Sequence, residues 1–156
     1  MSEQNCPCGL ASYAMCCQPL HLGVAQAQTA QQLMRSRYSA FALEQIDYLV
    51  ATTALGQQSA LDQAAIAAWS KANQWSGLEI VRHNEQLSKQ HAQVEFKAHY
   101  HDGTQARTHH ELSHFVQHAG QWYFLDPTTE QQWAMKQPCI CGSGKKIKHC
   151  CAVYIN

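Results

Sequence analysis

Between Thr29 and Ala72 the apolar residues of this chain recur every three or four positions, and from Leu78 to Leu125 they alternate. The first pattern is that of helices with one buried stripe, the second that of strands with one buried face. A helix is expected from Thr29, where Gln32 completes a capping box, with Leu33, Met34, Tyr38 and Phe41 on one stripe. A shorter helix is expected over Asp47–Ala54, ending near Gly56. Ser59 with Asp62 repeats the capping pattern, and Leu61, Ala64, Ala65, Ala68, Trp69 and Ala72 behind it share a face, up to a break at Gly77. Four strands follow: Leu78–Leu87, Ala92–Tyr100, Thr104–His118 and Trp122–Leu125. Helices followed by an antiparallel meander predict an α+β domain, its N-terminal helices packed on one face of the sheet.

The register around the hairpin turn Asp102-Gly103 decides which side chains reach the helices. A two-residue loop places Phe96 opposite His109 and Val94 opposite Glu111. A three-residue loop places Phe96 opposite His110 and Val94 opposite Leu112, and keeps Ala106, Leu112 and Val116 on the apolar face, so it is the preferred reading. It turns His110 toward the helices and Glu111 away, near Glu95, Lys97 and Arg107. Arg37 falls on the apolar stripe of the first helix, where its guanidinium requires an acceptor. Folds with helices laid on one face of a sheet often enclose a cavity, and by that analogy Arg37, Tyr38 and His110 are the candidate lining of a pocket able to bind a small anion. The competing reading is a satisfied polar network or an arginine stem packed under a solvated head.

Both ends of the chain change this picture. Pro138–Cys151 reads PCICGSGKKIKHCC, with Cys139 and Cys141 separated from Cys150 and Cys151 by a Gly-Ser-Gly turn and lysines. Cys6, Cys8, Cys16 and Cys17 repeat the arrangement with seven residues between the pairs instead of eight, and without lysine. Two close thiol pairs joined by a reversing loop match the tetrahedral preference of zinc, so all eight cysteines are candidate ligands for two zinc ions. Lys145, Lys146 and Lys148 offset the charge of about −2 that a four-thiolate zinc site carries.

With 11 basic and 11 acidic residues, net charge offers no general attraction to nucleic acid. The start MSEQNCPCGL lacks the basic, apolar plan of a signal peptide, and no apolar run is long enough to span a membrane. Paired cysteines in such a chain point to metal rather than disulfides, and to a reducing, cytoplasmic setting. Of 10 histidines, six lie between His99 and His118, either as solvent-facing strand residues or as a second kind of metal site. No nucleophile stands beside a recognisable base, and no phosphate loop occurs, so no catalytic residue is assigned.

The C-terminal stretch resembles the SEC-C zinc motif of the SecA tail, C-x-C-G-S-G-K-K-x-K-x-C-(C/H), matched by Cys139, Cys141, Gly142, Ser143, Gly144, Lys145, Lys146, Lys148, Cys150 and Cys151. The resemblance implies those four cysteines as ligands, with His149 outside the shell. The N-terminal copy keeps Cys6, Cys8, Gly9, Cys16 and Cys17. The whole chain resembles the YchJ family through Arg35–Phe41 (RSRYSAF) and His110–Phe115 (HELSHF), departing from it at Leu112 and His114, where that family has arginine. This implies SEC-C knuckles at residues 1–20 and 136–156 around a curved core at 29–128, like nuclear transport factor two (the cystatin-like superfamily). The knuckles are expected to fold locally with their own metal, leaving the core independent. The function implied by the motif is that of a cytoplasmic adaptor for a protein partner. A small-molecule binder or enzyme using a core cavity is the alternative, with RNA or ribosome contact through the C-terminal knuckle below it.

Overall fold

A computed structural model describes residues 4–155; residues 1–3 and 156, the outermost positions of the two expected knuckles, lie outside the described residues. The helices are α1 (Gln18–His21), α2 (Ala30–Ala42), α3 (Ile46–Ala51), α4 (Gln63–Ala72) and α5 (Ala152–Ile155). The strands β1 (Gln74–Asn84), β2 (His91–His101), β3 (Ala106–His118) and β4 (Gln121–Leu125) form one antiparallel sheet in sequence order. The fold is the expected α+β arrangement of helices and meander.

Helix α2 begins where its cap predicts. Thr29 Oγ1 accepts from the Gln32 amide at 3.0 Å, and the Glu85 carboxylate accepts from the Ala30 and Gln31 amides at 2.9 and 3.1 Å. Three of the orphan donors of the first turn are thus satisfied. Leu33, Met34 and Tyr38 are buried against Ala92, Val94, Phe96 and Ala98 of β2.

Helix α4 departs from expectation. Its cap is Asp62, whose Oδ1 accepts from the Ala65 amide at 3.0 Å, while Ser59 sits in a 3-10 turn over Leu55–Ala60. Of the predicted stripe, Leu61, Ala65 and Trp69 turn toward α2 and the sheet, with Trp69 edge-on to Phe41 and Trp75, while Ala64, Ala68 and Ala72 are exposed. The residue that docks the helix is Ser70, buried with its hydroxyl donating to the Phe41 carbonyl. Alanine conserves helix propensity at little cost in burial, so an alanine stripe does not identify the buried side.

Strand β1 starts four residues before Leu78, and register shifts at Trp75/Gly77 and Ile80/Arg82 break its alternation. The β2–β3 hairpin corrects both anticipated registers. Phe96 lies opposite Glu111, Val94 opposite Ser113 and Lys97 opposite His110, with residues 102–105 forming the loop. Asp102 builds that longer loop: its Oδ1 accepts from the Thr104 and Gln105 amides, both at 2.8 Å, and its Oδ2 from Arg107 Nε at 2.8 Å. The preferred register is off by one, so every β3 side chain is reversed from it. His109, Glu111, Ser113 and Phe115 face the helices, and Leu112 is exposed on the other side.

Buried side chains form one cluster on each face of the sheet. The helix-side cluster joins α2 and β2 to Phe115 and Trp122, and it includes Cys6, Cys8 and Cys17. The opposite cluster combines Val116, Tyr123 and Leu125 with Cys139, Ile140, Cys141, Ile147, Cys150 and Cys151. The two cysteine-rich ends therefore pack on opposite sides of the sheet, and apolar burial runs through both knuckles into the core.

Candidate metal centres and core cavity

The two knuckles share one backbone frame. The Cys6 amide donates to the Ala11 carbonyl at 2.9 Å, Gly9 to Cys6 at 2.9 Å, and Tyr13 to Gln4 at 2.8 Å. At the other end Cys139 donates to Lys145 at 2.8 Å, Gly142 to Cys139 at 3.2 Å, and Ile147 to Gln137 at 2.9 Å. These bonds align Ala11 with Lys145 and Cys16 with Cys150. The missing N-terminal residue thus falls between Gly9 and Ala11, where the longer knuckle carries the Ser143-Gly144 turn. Gly9 and Gly142 both hold positive φ, 84° and 87°, a conformation glycine adopts without steric cost. The shortening leaves the ligand-bearing ends of the loop unchanged.

Each tetrad brings its four sulfurs within 4.8 Å of one another and could hold a metal ion. Cys8 lies 3.5 Å from Cys16 and 3.9 Å from Cys17, while Cys16 and Cys17 are 3.8 Å apart. Cys150 lies 3.7 Å from Cys141 and 3.9 Å from Cys151. These distances are far beyond a disulfide bond of about 2.05 Å, and all eight thiols are free. Thiols so close resist ionising together. The hydrogen bond from Cys17 holds the Cys8 thiol down to about 4, whereas burial pushes Cys16 up to about 12. In the second tetrad Cys139 and Cys151 hold Cys141 low, burial pushes Cys150 up to about 11, and Cys139 drives Cys151 upward. A ready thiolate beside the adjacent pair Cys16-Cys17 or Cys150-Cys151, whose thiols are pushed upward, is a donor set that a divalent cation completes by displacing the retained protons.

Core residues hold both tetrads. Ser39, fully buried on α2, places its Oγ 3.3 Å from Cys6 Sγ and donates to Cys17 Sγ at 3.3 Å. Arg35 donates to the Cys8 carbonyl at 3.2 Å. His91, buried at the start of β2, sets its Nε2 3.4 Å from Cys151 Sγ, and its Nδ1 lies 2.8 Å from Ser88 Oγ. Burial holds the His91 imidazole below its usual pKa, which keeps it neutral with one nitrogen donating and the other accepting. Sequence reasoning missed Ser39 and His91. A serine inside an apolar helix stripe was the available signal for the first; no local pattern announced the second.

Between α2, α4 and the sheet lies a cavity of about 410 Å³. Arg37 and Tyr38 line it, but His110 does not: it sits on the opposite face, exposed, with Nε2 2.7 Å from Glu95 Oε2. The four-residue hairpin loop is the reason, since it gives the inward positions to His109 and Glu111. Arg37 is buried, and its Nη1 donates to the Leu49 carbonyl at 2.9 Å and to Thr52 Oγ1 at 2.7 Å. Its guanidinium stacks 4.4 Å from the Phe124 ring centre, and burial lowers its pKa to about 10. The Tyr38 hydroxyl accepts from the Gly77 amide at 2.7 Å and donates to the His99 carbonyl at 3.3 Å. Its ring forms wall, while its polar end is committed to the sheet.

Comparison with known proteins places these features in context. Residues 29–127 match the family described as YchJ, middle NTF2-like domain, and residues 135–152 match the SEC-C motif. A UPF0225 protein of Actinobacillus succinogenes is 49% identical over 152 residues, covering 96% of this chain and 97% of its own. One from Haemophilus influenzae is 46% identical over 156 residues, covering 99% and 96%. The crystal structure of a SEC-C motif containing protein from Psychrobacter arcticus superposes with a TM-score of 0.90 at 47% identity, covering 97% of each chain. The solution structure of a SEC-C motif containing protein from Rhodopseudomonas palustris gives 0.73 at 34% identity, over 79% of this chain and 96% of that one. Among the described residues no helix is long and apolar enough to cross a membrane.

Proposed function

This chain belongs to the YchJ (UPF0225) family, and we propose that it carries two structural zinc ions and binds a small molecule in its NTF2-like core. Zinc is favoured by sulfur geometry. A tetrahedron with Zn–S distances of about 2.3 Å has edges of about 3.8 Å, and the separations of 3.5–3.9 Å in both tetrads fit that edge. Four protein thiolates leave no open position, which suits a structural rather than catalytic ion. Eight free thiols are also consistent with a reducing, cytoplasmic setting.

The observation that carries the small-molecule reading is the cavity: about 410 Å³, walled by aromatic side chains and reached by a buried arginine. Ligand sites combine a mostly apolar concave surface with a few convergent polar groups, at volumes of about 300–1,000 Å³. Native mass spectrometry of protein purified without chelator tests both halves. The expected mass excess is two zinc ions per chain, and gentle denaturation releases a bound organic molecule. A metal-free chain sinks the zinc assignment. A failure of Ala65→Trp, which fills the cavity from its α4 wall, to alter retention of that molecule sinks the cavity assignment.

An adaptor role is the second reading. It is favoured by Leu10, Met15, Leu22 and Val24, which are 64–80% exposed along the N-terminal knuckle and its following loop and offer apolar surface to a protein partner. Contact with RNA through the C-terminal knuckle ranks below both, because Lys145 is engaged by the Gln90 side chain at 3.0 Å.

A further inference from the structure

We infer that the cavity takes a neutral, planar molecule of bicyclic size, its ring among Phe41, Trp69 and Trp75, its edge offering an acceptor to Arg37 and a donor to Glu111. This rests on the small-molecule reading above and specifies the ligand's chemistry.

The apolar end is an aromatic corner. Trp69 and Trp75 lie 4.9 Å apart centre to centre and steeply inclined, and Phe41 sits 5.5 and 5.6 Å from them. Flat rings fill such a corner by stacking on one wall and meeting another edge-on. At the polar end Arg37 spends Nη1 on Leu49 and Thr52, and among the described residues neither Nε nor Nη2 meets an acceptor. Glu111 takes the Ser113 hydroxyl on one oxygen and lies 3.4 Å from His109 Nε2 through the other. An ionised carboxylate has about four lone-pair sites, so acceptor capacity remains.

Charge selects most strongly against anions, since the lining holds two carboxylates to one guanidinium. Arg37 lines the cavity with two carboxylates, Glu111 and Asp126, yet among the described residues no ion pair within 4.0 Å joins it to either. An anion drawn to Arg37 meets both carboxylates, and a cation drawn to Glu111 meets Arg37. A neutral group with adjacent donor and acceptor, as in a cyclic amide, satisfies both without adding charge.

The test uses the full-length, metal-loaded protein and four probes: 2-quinolone, N-methyl-2-quinolone without the donor, naphthalene without the edge, and 2-naphthoate with a full charge. Binding is read by quenching of tryptophan fluorescence, assigned with Trp69→Phe, and by calorimetry. The expected result is 2-quinolone binding about tenfold or more above the other three, the scale of one hydrogen bond to a charged group. Ala65→Trp, checked for unchanged circular dichroism, should abolish it. Equal binding of naphthalene or N-methyl-2-quinolone leaves the cavity as a ligand site but overturns the donor–acceptor edge. Tightest binding by 2-naphthoate overturns neutrality. Absence of binding by every probe, or full binding to Ala65→Trp, overturns the small-molecule reading together with this one.

Discussion

Replacing His91 with phenylalanine tests how the core governs the C-terminal metal site. The imidazole does three things there: its Nε2 reaches Cys151 Sγ at 3.4 Å, its Nδ1 meets Ser88 Oγ at 2.8 Å, and its ring packs on Tyr154 with centres 4.5 Å apart. Phenylalanine keeps the packing and removes both contacts of the ring nitrogens. A hydrogen bond to a charged sulfur contributes about 1.5–3 kcal/mol. Loss of a residue that orients a ligand costs about 10–100-fold in metal affinity, which is the same energy range. The expected outcome is a C-terminal zinc ion released about 10–100-fold more readily and an unchanged N-terminal ion, since its supporting donor is Ser39. Competition with a chromogenic chelator on the full chain, read as two release steps, measures both affinities. His91→Ala should cost more than His91→Phe by the lost ring packing, and Ser39→Ala should weaken the N-terminal site instead. A His91→Phe protein that holds both ions as the parent does refutes the reasoning. So does equal weakening of the two sites, which indicates a general loss of stability.

Gly56→Ala should destabilise by about 1–3 kcal/mol, because a Cβ there falls 2.8 Å from the Ile140 backbone; an unchanged urea midpoint contradicts this docking of knuckle on core. Thr29→Ala removes the α2 cap and should cost about 1 kcal/mol, measured the same way. Burial holds His21 neutral, its ring nitrogens at 2.7 Å from Tyr13 Oη and 2.8 Å from the Ser36 carbonyl, with its pKa below the usual value. The unfolded chain then takes up the proton first, so stability falls as pH drops through about 6.5, and His21→Phe should show a shallower fall. Chelation of both ions should lower the unfolding temperature of the whole chain and shift the near-ultraviolet signal of Trp122, which shares a buried cluster with Cys6, Cys8 and Cys17; loss of signal from the ends alone argues against the shared core.

The order of elements and both tetrads were legible because each is a local pattern: helix caps, alternation, paired cysteines around glycine. The cavity lining was not. Whether His110 or Glu111 faces inward depends on a single residue of loop length, and Asp102 settles it through side-chain bonds to Thr104, Gln105 and Arg107 that span the turn. The inward side of β3 is also more polar than alternation predicts: His109, Glu111 and Ser113 face the cavity, while Leu112 is exposed. A rule that sends apolar residues inward fails where a sheet face lines a cavity instead of packing. The same holds for α4, whose Leu61, Ala65 and Trp69 face the cavity without being fully buried, while its buried contact is a serine.

The outer face of the sheet explains why the C-terminal knuckle cannot be a free appendage. On β1, β2 and the first half of β3 that face is polar, with Glu95 paired to both Arg82 and His110. Toward the end of β3 it becomes apolar: Val116 is fully buried, and Tyr123 and Leu125 continue the patch on β4. Ile147, with no exposed surface, and the cysteines around it cover that patch. The Gly56 amide also donates to the Ile140 carbonyl at 2.8 Å. A knuckle of this length has too little apolar surface to fold alone, and a metal ion held by its tetrad would supply the missing stability. The C-terminal knuckle thus seals the outer face of the sheet, a task an ion in its tetrad would support, and the N-terminal knuckle joins α2 through Ser39.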